Sequence, residues 1–68
     1  MFMFKELYNQ LDDMSTELWN EFGELVEWHN SVLEAERFIH NELMTFLYDH
    51  RNDVTEEEYD KLYNEFIG

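Results

Sequence analysis

The sequence has no cysteine and no proline, only two glycines, and only four basic residues among 68. Each shortage excludes something. Without cysteine there is neither a disulfide framework nor a thiolate metal site. Without proline, and with so little glycine, the chain carries few forced stops and its composition favours helix. Four Lys and Arg against seventeen Asp and Glu give a net charge of −13. Proteins gain affinity for nucleic acid by neutralising phosphates with Lys and Arg, so direct binding to nucleic acid or to an anionic membrane is not expected. No apolar run approaches the roughly 20 residues of a membrane-spanning helix. The apolar opening Met1, Phe2, Met3, Phe4 is cut off by Lys5 and Glu6, well short of a signal-peptide core. The expected location is the cytoplasm, that of the host cell if the chain is phage-encoded.

What is present is an apolar line at seven-residue spacing: Phe4, Leu11, Leu18, Leu25, Val32, Ile39 and Phe46. A helix turns once per 3.6 residues, so this repeat returns to nearly the same face every two turns. Leu7, Met14, Phe22, Trp28, Ala35, Leu43 and Leu47 widen the line into a stripe. On the opposite face Glu6, Asp13, Glu17, Glu21, Glu24, Glu27 and Glu34 fall within about 140° of one another at 100° per residue. An apolar content of 44%, with 18% aromatic, is too high for a disordered acidic tail. The chain folds, as one small domain over residues 1–68.

A domain this short buries only about 60% of its unfolded surface. Disulfides, a metal or oligomerisation usually compensate. With cysteine absent, oligomerisation is the remedy left open, most simply a homodimer whose seam is the seven-residue line.

Three places could interrupt the helix that the pattern draws from residue 3 to about 48. Asp12, Asp13, Ser15 and Thr16 concentrate capping chemistry, with a new helix able to start at Thr16. Gly23 lowers helix propensity and leaves room for a close neighbour. Ser31 followed by Glu34 matches a capping box, and Asn30 before it tolerates the left-handed conformation that ends helices. Two architectures follow. A continuous helix of about 45 residues would span roughly 68 Å. A chain reversal near His29 and Asn30 would instead give two antiparallel helices packed face to face. The repeat keeps its register through Leu25, Val32 and Ile39, which tips the reading slightly towards the long or kinked helix. Glu36 argues for reversal, because a continuous helix would place it on the apolar face.

The end of the chain is more sharply signalled. Residues 49–53 hold no apolar side chain and read as a loop. Thr55 followed by Glu58 is a capping box, with Val54 and Tyr59 at the two staple positions. Glu56, Glu57 and Glu58 suit the positive end of the helix dipole. Tyr59, Leu62, Tyr63, Phe66 and Ile67 then form the stripe of a short helix over residues 55–67. The fold class is therefore all-α: a long amphipathic heptad-patterned helix, open to a break near residue 30, plus a short C-terminal helix, assembled as a coiled-coil or helical-bundle homodimer.

No catalytic motif is present: no glycine-rich phosphate loop, no Gly-x-Ser-x-Gly and no His-Glu-x-x-His. An enzyme is not expected, and no cofactor is implied. His29 and His40, eleven residues apart, could form a metal pair. Helical carboxylate–metal sites use Glu-x-x-His, which is missing here, so the two read as half-buried seam residues. Trp19, Trp28, Tyr8, Tyr48 and Phe38 lie at or beyond the edges of the stripe. They could anchor a partner, but in a chain so short of core they more often close the packing.

The acidic face carries the functional expectation. Solvated helical faces usually mix signs, yet no Lys or Arg occurs between Glu6 and Glu36. In size, charge and helical patterning the chain resembles the small acidic DNA-mimic proteins of phages and mobile elements, which block restriction, recombination, repair or CRISPR nucleases. That likeness implies a partner with a basic nucleic-acid-binding groove, and it assigns a role to no individual position. From their own placement, the expected partner-binding residues are Asp13, Glu17, Glu21, Glu24, Glu27 and Glu34, with Glu56, Glu57 and Glu58 as a second cluster. The alternative is a coiled-coil oligomerisation or adaptor protein that holds a partner helix in its apolar seam.

Overall fold

A computed structural model describes residues 3–68; Met1 and Phe2 of the apolar opening lie outside them. The described residues are helical and contain no strand. Helix α1 spans Phe4–Asn20, α2 Phe22–His29, α3 Val32–Asp49 and α4 Glu56–Phe66, with a 3₁₀ turn over Arg51–Asp53. The long axis of the molecule measures 38 Å. An uninterrupted helix over the whole repeat would need roughly 68 Å, whereas the 26 residues from Phe4 to His29 need about 39 Å at 1.5 Å each. The chain therefore runs out along α1 and α2 and comes back along α3.

The reversal corrects the slight preference for a continuous helix, and local chemistry accounts for it. Asn30 sits in the left-handed region (φ 55°, ψ 35°). Its N–H donates to the Glu27 carbonyl at 3.3 Å, and the Ser31 N–H donates to the Val26 carbonyl at 3.2 Å. That pair of bonds is a Schellman motif, which satisfies the last carbonyls of α2 and turns the chain away. Ser31 then opens α3, its Oγ accepting from the Glu34 N–H at 3.2 Å. The seven-residue line survives because both arms of a hairpin need an apolar face, so its continuity does not require a single helix. Val32, at the turn itself, is where the line fails: it is 54% exposed.

The joint at Glu21 is milder. Its N–H is shared between the Glu17 and Leu18 carbonyls, both at 3.2 Å, and its carbonyl still accepts from Leu25 at 2.9 Å. α1 and α2 thus form one bent arm. Ser15 and Thr16 lie within α1 and start no new helix. Gly23 faces open space, where a Cβ would meet nothing within 4 Å, so it lowers helix propensity at the joint without admitting a neighbour.

α4 closes the base of the hairpin. Thr55 and Glu58 form the complete capping box, with Glu58 N–H donating to Thr55 Oγ1 at 3.1 Å and Thr55 N–H to Glu58 Oε1 at 2.9 Å. Val54 and Tyr59 both pack on the core. The Tyr8 hydroxyl donates to Glu65 at 3.2 Å, tying α1 to α4. This bond, with the nearby negative charge, holds the Tyr8 phenol above its usual pKa. The loop expected over residues 49–53 contains the 3₁₀ turn. There Arg51 donates to the Tyr48 carbonyl at 2.9 Å and lies 3.9 Å over its ring.

Leu7 and Leu11 of α1, Ala35, Ile39, Leu43 and Leu47 of α3 and Leu62 of α4 are fully buried. α2 buries no residue completely. Of the line assigned to an oligomer seam, Leu11 and Ile39 belong to this core, and Phe4, Leu18, Leu25 and Phe46 pack against it. Six of the seven positions are thus used within one chain.

Two substitutions test this arrangement. Leu43→Ala is expected to cost about 2–5 kcal/mol, the range for deleting a buried leucine side chain, read as a lower urea midpoint. At residue 30 the fold predicts Gly to be more stable than Ala, by about 1 kcal/mol or more, because Ala strains in the left-handed region. A continuous helix would give the reverse order, with Ala favoured by about 1 kcal/mol.

Candidate functional site

With Leu7 and Leu11 facing inwards, the opposite side of the α1–α2 arm is turned to solvent. Asp13, Glu17, Glu21, Glu24 and Glu27 lie along it, and all five are exposed. Carboxylates four residues apart rise about 6 Å along the axis, and Asp13 to Glu27 spans about 21 Å. Among the described residues the one ion pair is Glu34 with Arg37, at 3.8 Å. Both partners are exposed, so the pair contributes about 1 kcal/mol at most. The file on the arm keeps its formal charge uncompensated by any neighbouring cation at ion-pair distance.

The reversal redistributes the other predicted residues. Glu34 leaves the file for the first turn of α3, beside the tip of the hairpin. Glu56, Glu57 and Glu58 open α4 beyond the far end of α3, away from that tip. Glu56 and Glu57 are exposed, whereas Glu58 is half-buried and spends its carboxylate on the Thr55 cap. The structure therefore joins Asp13 through Glu27 into one surface and separates the second cluster from it.

The edge aromatics divide. Tyr8 and Phe38 pack against the core. Trp19 packs against the rings of Phe22 and His40, with centroids 5.2 and 6.0 Å away. Trp28 stands out at 82% exposure, with Leu33 at 61% just across the turn. No composition signal separates Trp28 from the other aromatics. The cue is positional: large apolar residues flank a helix-stopping asparagine. His29 and His40 lie on different arms, so they are no longer three turns apart on one helix. The His29 ring lies between Trp28 and Phe38, at 5.0 and 5.5 Å, and its Nε2 is shielded from solvent with no hydrogen-bond partner among the described residues.

An open cleft of about 440 Å³ beside this ring is lined by His29, Glu34, Arg37, Phe38 and Asn41. Among the described residues no three His, Asp or Glu side chains are grouped to hold a metal ion, and no helix is long and apolar enough to cross a membrane. The arrangement suits accepting hydrogen bonds and ion pairs from several Arg or Lys side chains at once. Compared with protein-family models, curated proteins and solved structures, the chain matches none.

Crowding like charge on a body this small opposes its compact state. Raising NaCl from about 0.01 M to about 0.15 M shortens the Debye length from about 30 Å to about 8 Å. The urea midpoint is expected to rise across that range, as followed by helical circular dichroism. A midpoint that is flat or falls would mean that the carboxylates do not repel appreciably in the folded state.

Proposed function

We propose that this protein is an acidic, DNA-mimic-like inhibitor. Its carboxylate file occupies the basic nucleic-acid-binding groove of a nucleic-acid-processing protein and excludes the nucleic acid. The observation that carries the reading is the uncompensated row of Asp13, Glu17, Glu21, Glu24 and Glu27 along the outer face of the bent α1–α2 arm. Its steps of about 6 Å from Asp13 to Glu21 and about 4.5 Å from Glu21 to Glu27 lie between one and two phosphate steps of one DNA strand, about 3.4 and 6.8 Å along the axis. A groove whose Lys and Arg are spaced for phosphates meets carboxylates at a comparable interval. Electrostatic attraction between the file and such a groove also speeds encounter. We place this action in the cytoplasm, that of the infected cell for a phage gene.

The adaptor alternative requires a partner helix to enter the seven-residue line. Six of those positions already face the chain's own helices, and a homodimer built on the same seam meets the same obstacle. The proposed function is therefore assigned to a single chain.

The test is capture from host lysate on the immobilised protein, with elution in NaCl steps towards about 1 M, where the Debye length is about 3 Å. A nucleic-acid-binding protein that leaves in these steps, and that duplex DNA displaces, is the expected result. The Glu17→Lys/Glu21→Lys/Glu24→Lys variant should lose that protein while keeping its helical circular dichroism. Retention by the triple variant as strong as by the unmodified chain sinks the reading.

A further inference from the structure

Among the described residues, the tip of the hairpin is where large apolar side chains cluster in solvent. Trp28, in the last turn of α2, is 82% exposed; Leu33 and Val32, in the first turn of α3, are 61% and 54% exposed. Scattered exposed apolar residues are ordinary. Three within six positions, one of them a tryptophan, make a patch of the kind that marks an interaction surface. They lie outside because α4 covers only the base of the hairpin, leaving two helices rather than three at the tip. The indole is nevertheless steadied: its ring meets His29 edge-on at 5.0 Å and 88°, and His29 packs on Phe38. A ring held in this way loses little freedom on binding.

The surroundings select the occupant. Glu24, one turn before Trp28, Glu27 beside it and Glu34 beside Leu33 are all exposed. A second copy would bring the same carboxylates against themselves, on a chain of net charge −13. Anionic lipid is repelled for the same reason. We propose that the tip docks on a protein surface in which an apolar pocket is ringed by Lys and Arg, with Trp28 entering the pocket and Glu24, Glu27 and Glu34 pairing with the ring. This rests on the proposed function in taking the partner to be the same basic protein. It adds that affinity comes from an apolar anchor at the end of the acidic arm as well as from charge.

Two defined probes separate anchor from charge: an amphipathic helical peptide of leucine and lysine, and an oligolysine peptide of equal charge, each titrated by calorimetry. The leucine–lysine peptide is expected to bind more tightly. Trp28→Ala should weaken it at least tenfold, the loss typical of a buried interface tryptophan, and should leave oligolysine within about twofold. In a Trp19→Phe background Trp28 is the sole tryptophan, and its emission should shift to the blue on binding the leucine–lysine peptide. Equal affinity of Trp28→Ala and the parent for that peptide overturns the proposal. So does an unshifted emission, a dimer in sedimentation that Trp28→Ala dissolves, or a blue shift on phosphatidylcholine vesicles. Leu33→Gln, which spares the indole, guards against an effect of Trp28→Ala on folding and should weaken the same peptide. The charge reading fails on a different result: Glu17→Lys/Glu21→Lys, which leaves the tip intact, binding oligolysine as tightly as the parent.

Discussion

Burial of one face of α3 holds the rest of the molecule in place. Ile39, Leu43 and Leu47 form one buried cluster with Leu7 and Leu11 of α1 and Leu62 of α4. α3 is in contact with α1, α2 and α4. A chain this short has little apolar surface to bury, and five of the seven residues it buries completely, Leu7, Leu11, Leu43, Leu47 and Leu62, lie towards the base of the hairpin. The capping box at Thr55 sets where α4 begins, and so whether Leu62 reaches that base. The Schellman turn at Asn30 brings α3 back along α1. Each local device matters because it delivers a side chain to this single contact.

The acidic face exists at the expense of that contact. Every carboxylate on the outer side of the arm adds repulsion that the leucines must outweigh. The sign separation is sharp: the inner side of the α1–α2 arm is apolar, and the outer side carries Asp13, Glu17, Glu21, Glu24 and Glu27 with no cation among them. A face needing only solubility could have mixed its signs and gained i,i+4 pairs instead. This physical imbalance is what turns the outer face into a candidate binding surface.

Much of the fold was legible because local rules decided it. The Thr55 cap, the Val54 and Tyr59 staple and the stripe ending at Ile67 depend on neighbours in sequence, and they stand as the pattern drew them. The reversal was half legible. Asn30 and Ser31 carry the right chemistry for it and Glu36 hinted at it, but the unbroken repeat through Leu25, Val32 and Ile39 spoke for continuity. The repeat misled because apolar periodicity reports which side of a helix is covered and is silent on what covers it. For the same reason the seam residues could be placed on an inner face without revealing that the chain itself would fill it. The exposure of Trp28 was not legible, because it depends on how far α4 reaches along the hairpin.

That reach has a consequence for how stability is distributed. α2 buries no side chain completely, and it joins α1 through a shared hydrogen bond at Glu21. Regions with few buried contacts open at lower free-energy cost than the global unfolding of the chain. The completely buried cluster is therefore expected to open last, and α2, whose side chains are only partly buried, at lower cost. At the end that presents Trp28, α2 is held by partly buried side chains, Phe22 and Leu25 among them, that pack against the core. A partner seated there would supply the missing third layer, so its binding energy and the stability of α2 would be thermodynamically linked.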